Sequence, residues 1–289
     1  MTNTPQTELA VSVRGLRKAY GAKQAVDGLD LDIFRGEIFA ILGPNGAGKS
    51  TTVEILEGLR VRDAGEVTVL GTDPGKADKN WRARIGVVMQ DSRDIADLTV
   101  AEMITATATY YPNPLDVEQV ITAVSLEEKA DARVRGLSGG QRRRMDVALG
   151  IIGNPEVLFL DEPTTGFDPE VRREFWKLVR SLNTAGVTIV LTTHYLDEAD
   201  ALADRMAVIK DGKVVALATP SELGGPEART PIVKWIENGV QREQRTDNPT
   251  ALITALTATH AGANGEIAGI NIVNPSLEDV YLDLIGAAK

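Results

Sequence analysis

GPNGAGKST, residues Gly43 to Thr51, follows the short apolar run EIFAIL at Glu37 to Leu42 and precedes TTVEILEGL. The run reads as a buried strand that stops at Gly43, and the residues after Lys49 are spaced as a helix with Val53, Leu56 and Leu59 on one side. A glycine-rich turn between strand and helix fits G-x-x-x-x-G-K-[ST]. Its glycines let the backbone curl until successive N–H groups face one anion, at a helix N-terminus that favours negative charge. Gly43, Pro44, Asn45, Gly46, Ala47, Gly48, Lys49, Ser50 and Thr51 are therefore expected to hold a nucleoside triphosphate. Lys49 is expected to reach the β and γ phosphates, and Ser50 to ligate Mg²⁺.

The complement lies at Val157 to Glu162, VLFLDE, an apolar strand ending in two acids. Carboxylates at the C-terminal edge of a parallel sheet stand where α/β sites form. Asp161 is expected in the Mg²⁺ shell, leaving Glu162 to orient and deprotonate water, a role worth typically about 10²- to 10⁴-fold in rate. Gln90, after IGVVM, is placed to contact Mg²⁺ or the attacking water, and His194, after VTIVLTT, to bond a γ-phosphate. Tyr20 offers a ring to a base. LSGGQ, Leu137 to Gln141, is a second candidate anion site, presenting a Ser hydroxyl and two Gly N–H groups at a helix start.

Around these motifs the chain alternates between strand and helix. Leu9 to Val13, Gly28 to Phe34, Glu66 to Leu70 and Ile85 to Met89 read as strands, as do Val157 to Leu160 and Val187 to Thr192, with a helix over Pro169 to Asn183. From Thr99 to Gly153 helical spacing takes over, with Thr99 and Glu102 forming a capping box. The low-charge stretch TVAEMITATATYY there suits a partner surface or the insertion's own core equally. The run Arg142-Arg143-Arg144 reads as a solvated helix face rather than as a contact for phosphate or acids. ELGGPEARTP reads as a linker, followed by a hairpin around Asn238-Gly239, a helix Pro249 to Thr259, a strand Ile267 to Val273 and a helix from Pro275. The expected fold class is α/β, with a mostly parallel sheet, an antiparallel β part, a helical insertion and a small C-terminal α+β domain. The boundaries are 1–220 for the nucleotide-binding domain with 99–153 as insertion, 221–230 for the linker and 231–289 for the accessory domain.

The 289 residues carry 31 Lys and Arg against 41 Asp and Glu, a formal charge of -10, which argues against general nucleic-acid binding. With no cysteine, disulfides and thiolate metal sites are excluded, and His194 and His260 are too far apart for a local metal motif. MTNTPQTELAVSV lacks the charged start and apolar run of a signal peptide, and no apolar stretch approaches the about 18 residues of a membrane span.

The order of these motifs resembles that of ABC-family ATPases over roughly the first three-quarters of the chain. Tyr20 matches the family's A-loop, Gly43 to Thr51 its Walker A, Gln90 its Q-loop and Leu137 to Gln141 its signature. Val157 to Glu162 matches Walker B, Gly166-Phe167-Asp168 the D-loop with Phe in the usual Leu position, and His194 the switch histidine. The resemblance implies that Ser138, Gly139, Gly140, Gln141 and Asp168 complete the ATP site of a second copy, in a two-fold pair with two composite sites. The ending NPSLEDVYLDLIG, with LSGGQRRRMDVALG, looks like the daunorubicin-resistance type of exporter ATPase. That implies an ATP- and Mg²⁺-dependent motor on the cytoplasmic face of the cell membrane, working with a separately encoded permease and driving export. The alternative is a soluble ATP switch acting on nucleic acid or the ribosome.

Overall fold

The computed structural model describes residues 8–89, 97–260 and 266–286. They form two compact units that divide between Leu217 and Ala218. In the first, β1 (Leu9–Tyr20) pairs antiparallel with β2 (Lys23–Phe34) and, on its other side, with β4 (Ala64–Val69). Alternation along β2 buries Val26, Leu29, Leu31 and Ile33 and turns Asp30 outward. Both first strands extend well beyond the alternating segments that reveal them in the sequence. Their outer halves mix exposed polar residues with buried Leu16, Ala25 and Val26 and carry pairs such as Arg17 with Asp27.

The second sheet contains β3 (Ile38–Leu42), β5 (Ile85–Val88), β6 (Val157–Asp161), β7 (Thr188–Thr193), β8 (Arg205–Lys210) and β9 (Lys213–Ala218), in the order β5-β6-β7-β3-β8-β9. The pairings from β5 through β8 are all parallel. Every residue of β3 and β7 is buried, which is why these strands read as continuous apolar runs rather than alternating ones. The β8–β9 hairpin, turning at Asp211-Gly212, was not anticipated from the sequence.

Helix α1 (Lys49–Leu56) follows β3, and the short α2 (Lys79–Arg82) precedes β5. Val53 and Leu56 are buried as expected, but the helix ends before Leu59, which is 62% exposed. The helical insertion holds α3 (Val100–Ala108), α4 (Val117–Ala123) and α5 (Gly139–Ile151). Thr99 and Glu102 form the anticipated capping box, and Val100, Met103 and Ile104 are buried. These three enter the insertion's own core, while Glu102, Thr105, Ala106, Thr109 and Tyr110 of the same low-charge stretch are exposed. Helices α6 (Pro169–Thr184) and α7 (Leu196–Leu202) complete the unit.

In the second unit, β10 (Ile232–Glu237) pairs with β11 (Val240–Arg245) through a turn in which Asn238 and Gly239 both have positive φ, at 51° and 79°. Helix α8 (Pro249–His260) follows. β12 (Asn271–Val273) adds to the other side of β10, and α9 (Leu277–Leu284) is capped by Ser276. The expected strand from Ile267 shortens to β12 because residues before it form a turn at Gly269, where a Cβ would press on Ile236. Val233, Trp235, Leu256 and Ile267 form this unit's core cluster.

Candidate functional site

Strands β3, β6 and β7 are neighbours and all end at one edge of the sheet, so their C-terminal residues meet. Leu42 pairs with Thr193 and Asp161 with Thr192. Immediately beyond lie the 43–51 turn, Glu162 and His194. The parallel topology therefore brings together motifs separated by more than a hundred positions.

The turn itself requires glycine. Gly43 and Gly48 have φ of 158° and 106°, and a Cβ on either would lie 2.3 Å from a backbone oxygen, of Ile209 and Ala25 respectively. Gly48 is also the N-cap of α1 and supplies no side-chain cap, which leaves the first-turn N–H groups to an anion. A cavity of about 540 Å³ opens over it, lined by Tyr20 and Lys23 on one side and by Asn45, Lys49, Ser50 and Glu162 around the turn. Lys49 is only 6% exposed, and its Nζ donates to Gly43 O at 2.8 Å and Pro44 O at 3.3 Å. Burial pulls this ammonium below the usual lysine range, opposed by the charges of Glu162 and Asp161.

Glu162 adopts φ 43°, a left-handed conformation uncommon for a residue with a side chain. Its N–H is held by Thr192, through the carbonyl at 3.2 Å and Oγ1 at 3.0 Å. Thr192 Oγ1 in turn donates to Asp161 Oδ1. Thr192, absent from the sequence-derived site, thus braces both acids; a Thr in a buried strand beside a strand ending in carboxylates is the signal that marks it. His194 Nδ1 lies 3.3 Å from Glu162 Oε2, so the histidine and the acid share one corner. Gln90 lies outside the described residues.

Ser138 lies elsewhere. It caps α5, accepting from Gln141 N at 3.3 Å, while Gln141 Oε1 accepts from Ser138 N at 3.0 Å. Ser138 and Gly139 are exposed, and neither lines the cavity above the 43–51 turn. A Cβ on Gly139 would meet nothing within 4 Å, whereas one on Gly140 would strike Val171 at 2.7 Å. Asp168 caps α6, accepting from Glu170 N and Val171 N, and is likewise exposed. Phe167 packs edge-on against Phe175, an apolar contact.

The arginine run departs from its expected solvated face. Arg143 is 7% exposed and its guanidinium is bound by main-chain carbonyls, while Arg142 and Arg144 donate to Val134 O and Val124 O. Arg143, Val147 and Gly150 share the buried side of α5 at helical spacing, a pattern that three consecutive charges obscure.

Residues 26–165 match the ABC transporter family. Nod factor export ATP-binding protein I of Ralstonia nicotianae is 39% identical, covering 96% of this chain and 94% of that protein. The chain belongs to the ABC transporter family. Daunorubicin/doxorubicin resistance ATP-binding protein DrrA of Streptomyces peucetius is 36% identical, over 98% of this chain and 94% of that one. Among solved structures, cbiO1 from Clostridium perfringens, part of the transporter complex cbiONQ, aligns with a TM-score of 0.68 at 29% identity, covering 74% of this chain and 90% of its own. The cassette MJ0796, in a dimeric post-hydrolysis state bound to ADP and Pi, aligns at 0.65 and 27% identity, covering 72% and 98%. As an ABC ATPase, this chain binds and hydrolyses ATP. No described helix is long and apolar enough to cross a membrane.

Proposed function

We propose that the chain is the motor subunit of an exporter, closing as a pair around two ATP and driving a separately encoded permease. One observation carries the pairing. The turn 43–51 and Glu162 line one cavity, whereas Ser138 and Gly139 are exposed outside it, with open space over Gly139. A second copy, approaching with its own α5 N-terminus, would supply the missing donors, and two-fold symmetry would make the exchange mutual. Asp168 is exposed as well, and we assign it to contacts across the pair.

In each composite site Lys49 and the α1 N-terminus bind the phosphates, Tyr20 faces the base, and Ser138, Gly139, Gly140 and Gln141 of the partner close over the terminal phosphate. Glu162 accepts the proton of the attacking water, with His194 beside it. Gln90 is assigned to the same site from the sequence. Mg²⁺ fits the donor set: Ser50 and Asp161 offer hard oxygens. No group of three or more His, Cys, Asp or Glu among the described residues forms a cage. That suits an ion completed by phosphate and water, where it would neutralise the phosphate oxygens.

Export is supported by the relatives, whose names refer to Nod factor export and to daunorubicin resistance. The acidic balance does not favour the nucleic-acid alternative. We assign residues 1–220 to the motor, 221–230 to a linker and 231–289 to an accessory domain, and place the protein on the inner face of the cell membrane through its permease.

Solution mass of Glu162→Gln with and without MgATP tests the pairing, beside the same protein carrying Ser138→Arg. The expected result is an ATP-dependent dimer that Ser138→Arg abolishes. A dimer indifferent to Ser138→Arg would sink the composite site.

A further inference from the structure

Arg143 is a buried cation that the proposed site does not use. Its Nε donates to Pro163 O at 3.0 Å, its Nη2 to Asp161 O at 2.8 Å, and its Nη1 to Met89 O. The first two carbonyls belong to the residues on either side of Glu162, and the third ends the segment leading to Gln90. The guanidinium therefore straddles the one residue of the acidic pair whose backbone is left-handed. A non-glycine residue holds such a conformation only where its surroundings over-determine it. Thr192 holds the Glu162 N–H, and Arg143 holds the carbonyls of the residues before and after it. A planar fork with several donors suits spread carbonyls, as a lysine's point charge does not.

The same side chain sits five residues after Ser138 on α5, beyond a capping box that ties Ser138 to the first helical turn. Arg143 is thus the side chain through which a shift of the α5 N-terminus would reach Asp161 O and Pro163 O, on either side of Glu162. We infer that Arg143 is a positioning residue for Glu162, linking the signature helix of each copy to that copy's own water-activating carboxylate. The inference rests on the proposed role of Glu162 and, for the link, on the paired site.

The test compares steady-state ATPase rates of wild type, Arg143→Met, Arg143→Lys, Glu162→Gln and the double variant Arg143→Met/Glu162→Gln, with binding of a fluorescent ATP analogue measured on each. A displacement of about 1 Å at a reacting group costs on the order of 100-fold. Arg143→Met is therefore expected to lower kcat about 100-fold while analogue affinity stays within about threefold, and Arg143→Lys to recover part of the rate. The double variant should be no slower than Glu162→Gln alone, because groups that act as a unit are not additive. A wild-type rate in Arg143→Met, or a further loss in the double variant, overturns the inference. If Arg143→Met does not fold, Arg143→Lys combined with Glu162→Gln makes the same comparison. Should Glu162→Gln itself retain the wild-type rate, the failure lies in the proposed role of Glu162 rather than in Arg143.

Discussion

Glu57 should make this protein lose stability as pH rises through neutrality. It follows α1 as its C-cap, is 7% exposed, and its carboxyl takes no hydrogen bond among the described residues. Burial, and secondarily the charges of Asp161 and Glu54, push its pKa from 4.5 up to about 8. The folded state therefore binds a proton that the unfolded chain has released between those two values. By linkage, stability declines with pH across that window. Integrated from pH 5 to pH 8.5 at 1.36 kcal/mol per tenfold, the decline is about 4 kcal/mol. Glu57→Gln keeps the shape and removes the charge, so it should cancel this slope. At pH 5, where the native carboxyl is already neutral, the variant should match wild type to within about 1 kcal/mol, the scale of an exchanged hydrogen bond. Urea unfolding of nucleotide-free protein at both pH values measures the difference directly, and other titrating groups cancel between the two proteins. Parallel stability profiles for wild type and variant would refute the reasoning, since they would mean that Glu57 ionises in place without cost.

Gly48→Ala should abolish ATP binding and cost more than about 1 kcal/mol in unfolding assays, because its Cβ meets Ala25 O at 2.3 Å in a left-handed backbone. Gly139→Ala, with nothing within 4 Å, should fold at least as stably, since alanine favours a helix start over glycine by up to about 1 kcal/mol. Tyr20→Ala should weaken ATP by about 1–2 kcal/mol in a binding titration. Arg60→Met should weaken it less, since Arg60 lies 5.3 Å over the Tyr20 ring but does not line the cavity. Asp73 is held down to about 2 by its two-point pairing with Arg62. Asp73→Asn should therefore cost about 1 kcal/mol at pH 7, with the difference shrinking as pH falls below 3.8 toward 2.

The parts of this molecule legible in its sequence are those fixed by local chemistry. Gly43 and Gly48 are required by the path of their own backbone, Thr99 and Ser138 by the orphan N–H groups at the starts of their helices, and β3 and β7 by burial on both faces. Positive φ and helix capping act within a few residues, and burial on both faces shows as an unbroken apolar run, so the residue types carry these demands openly. The parts that were not legible depend on what a distant segment brings. Thr192 matters because β7 lies beside β6, and nothing within VTIVLTTH says which acids its hydroxyl will meet. Arg143 was misread because charge dominates a local reading. Its environment is set by carbonyls at Met89, Asp161 and Pro163, of which one ends strand β6 and two lie in the segments that follow β5 and β6. The reach of β1 and β2 past their alternating segments has the same origin: Leu16, Ala25 and Val26 are buried there and ion pairs lie across the ladder. The motifs thus specify where phosphate chemistry happens. The residues that hold Glu162 at its angle emerge only when the sheet order is known, and they decide how well the site works.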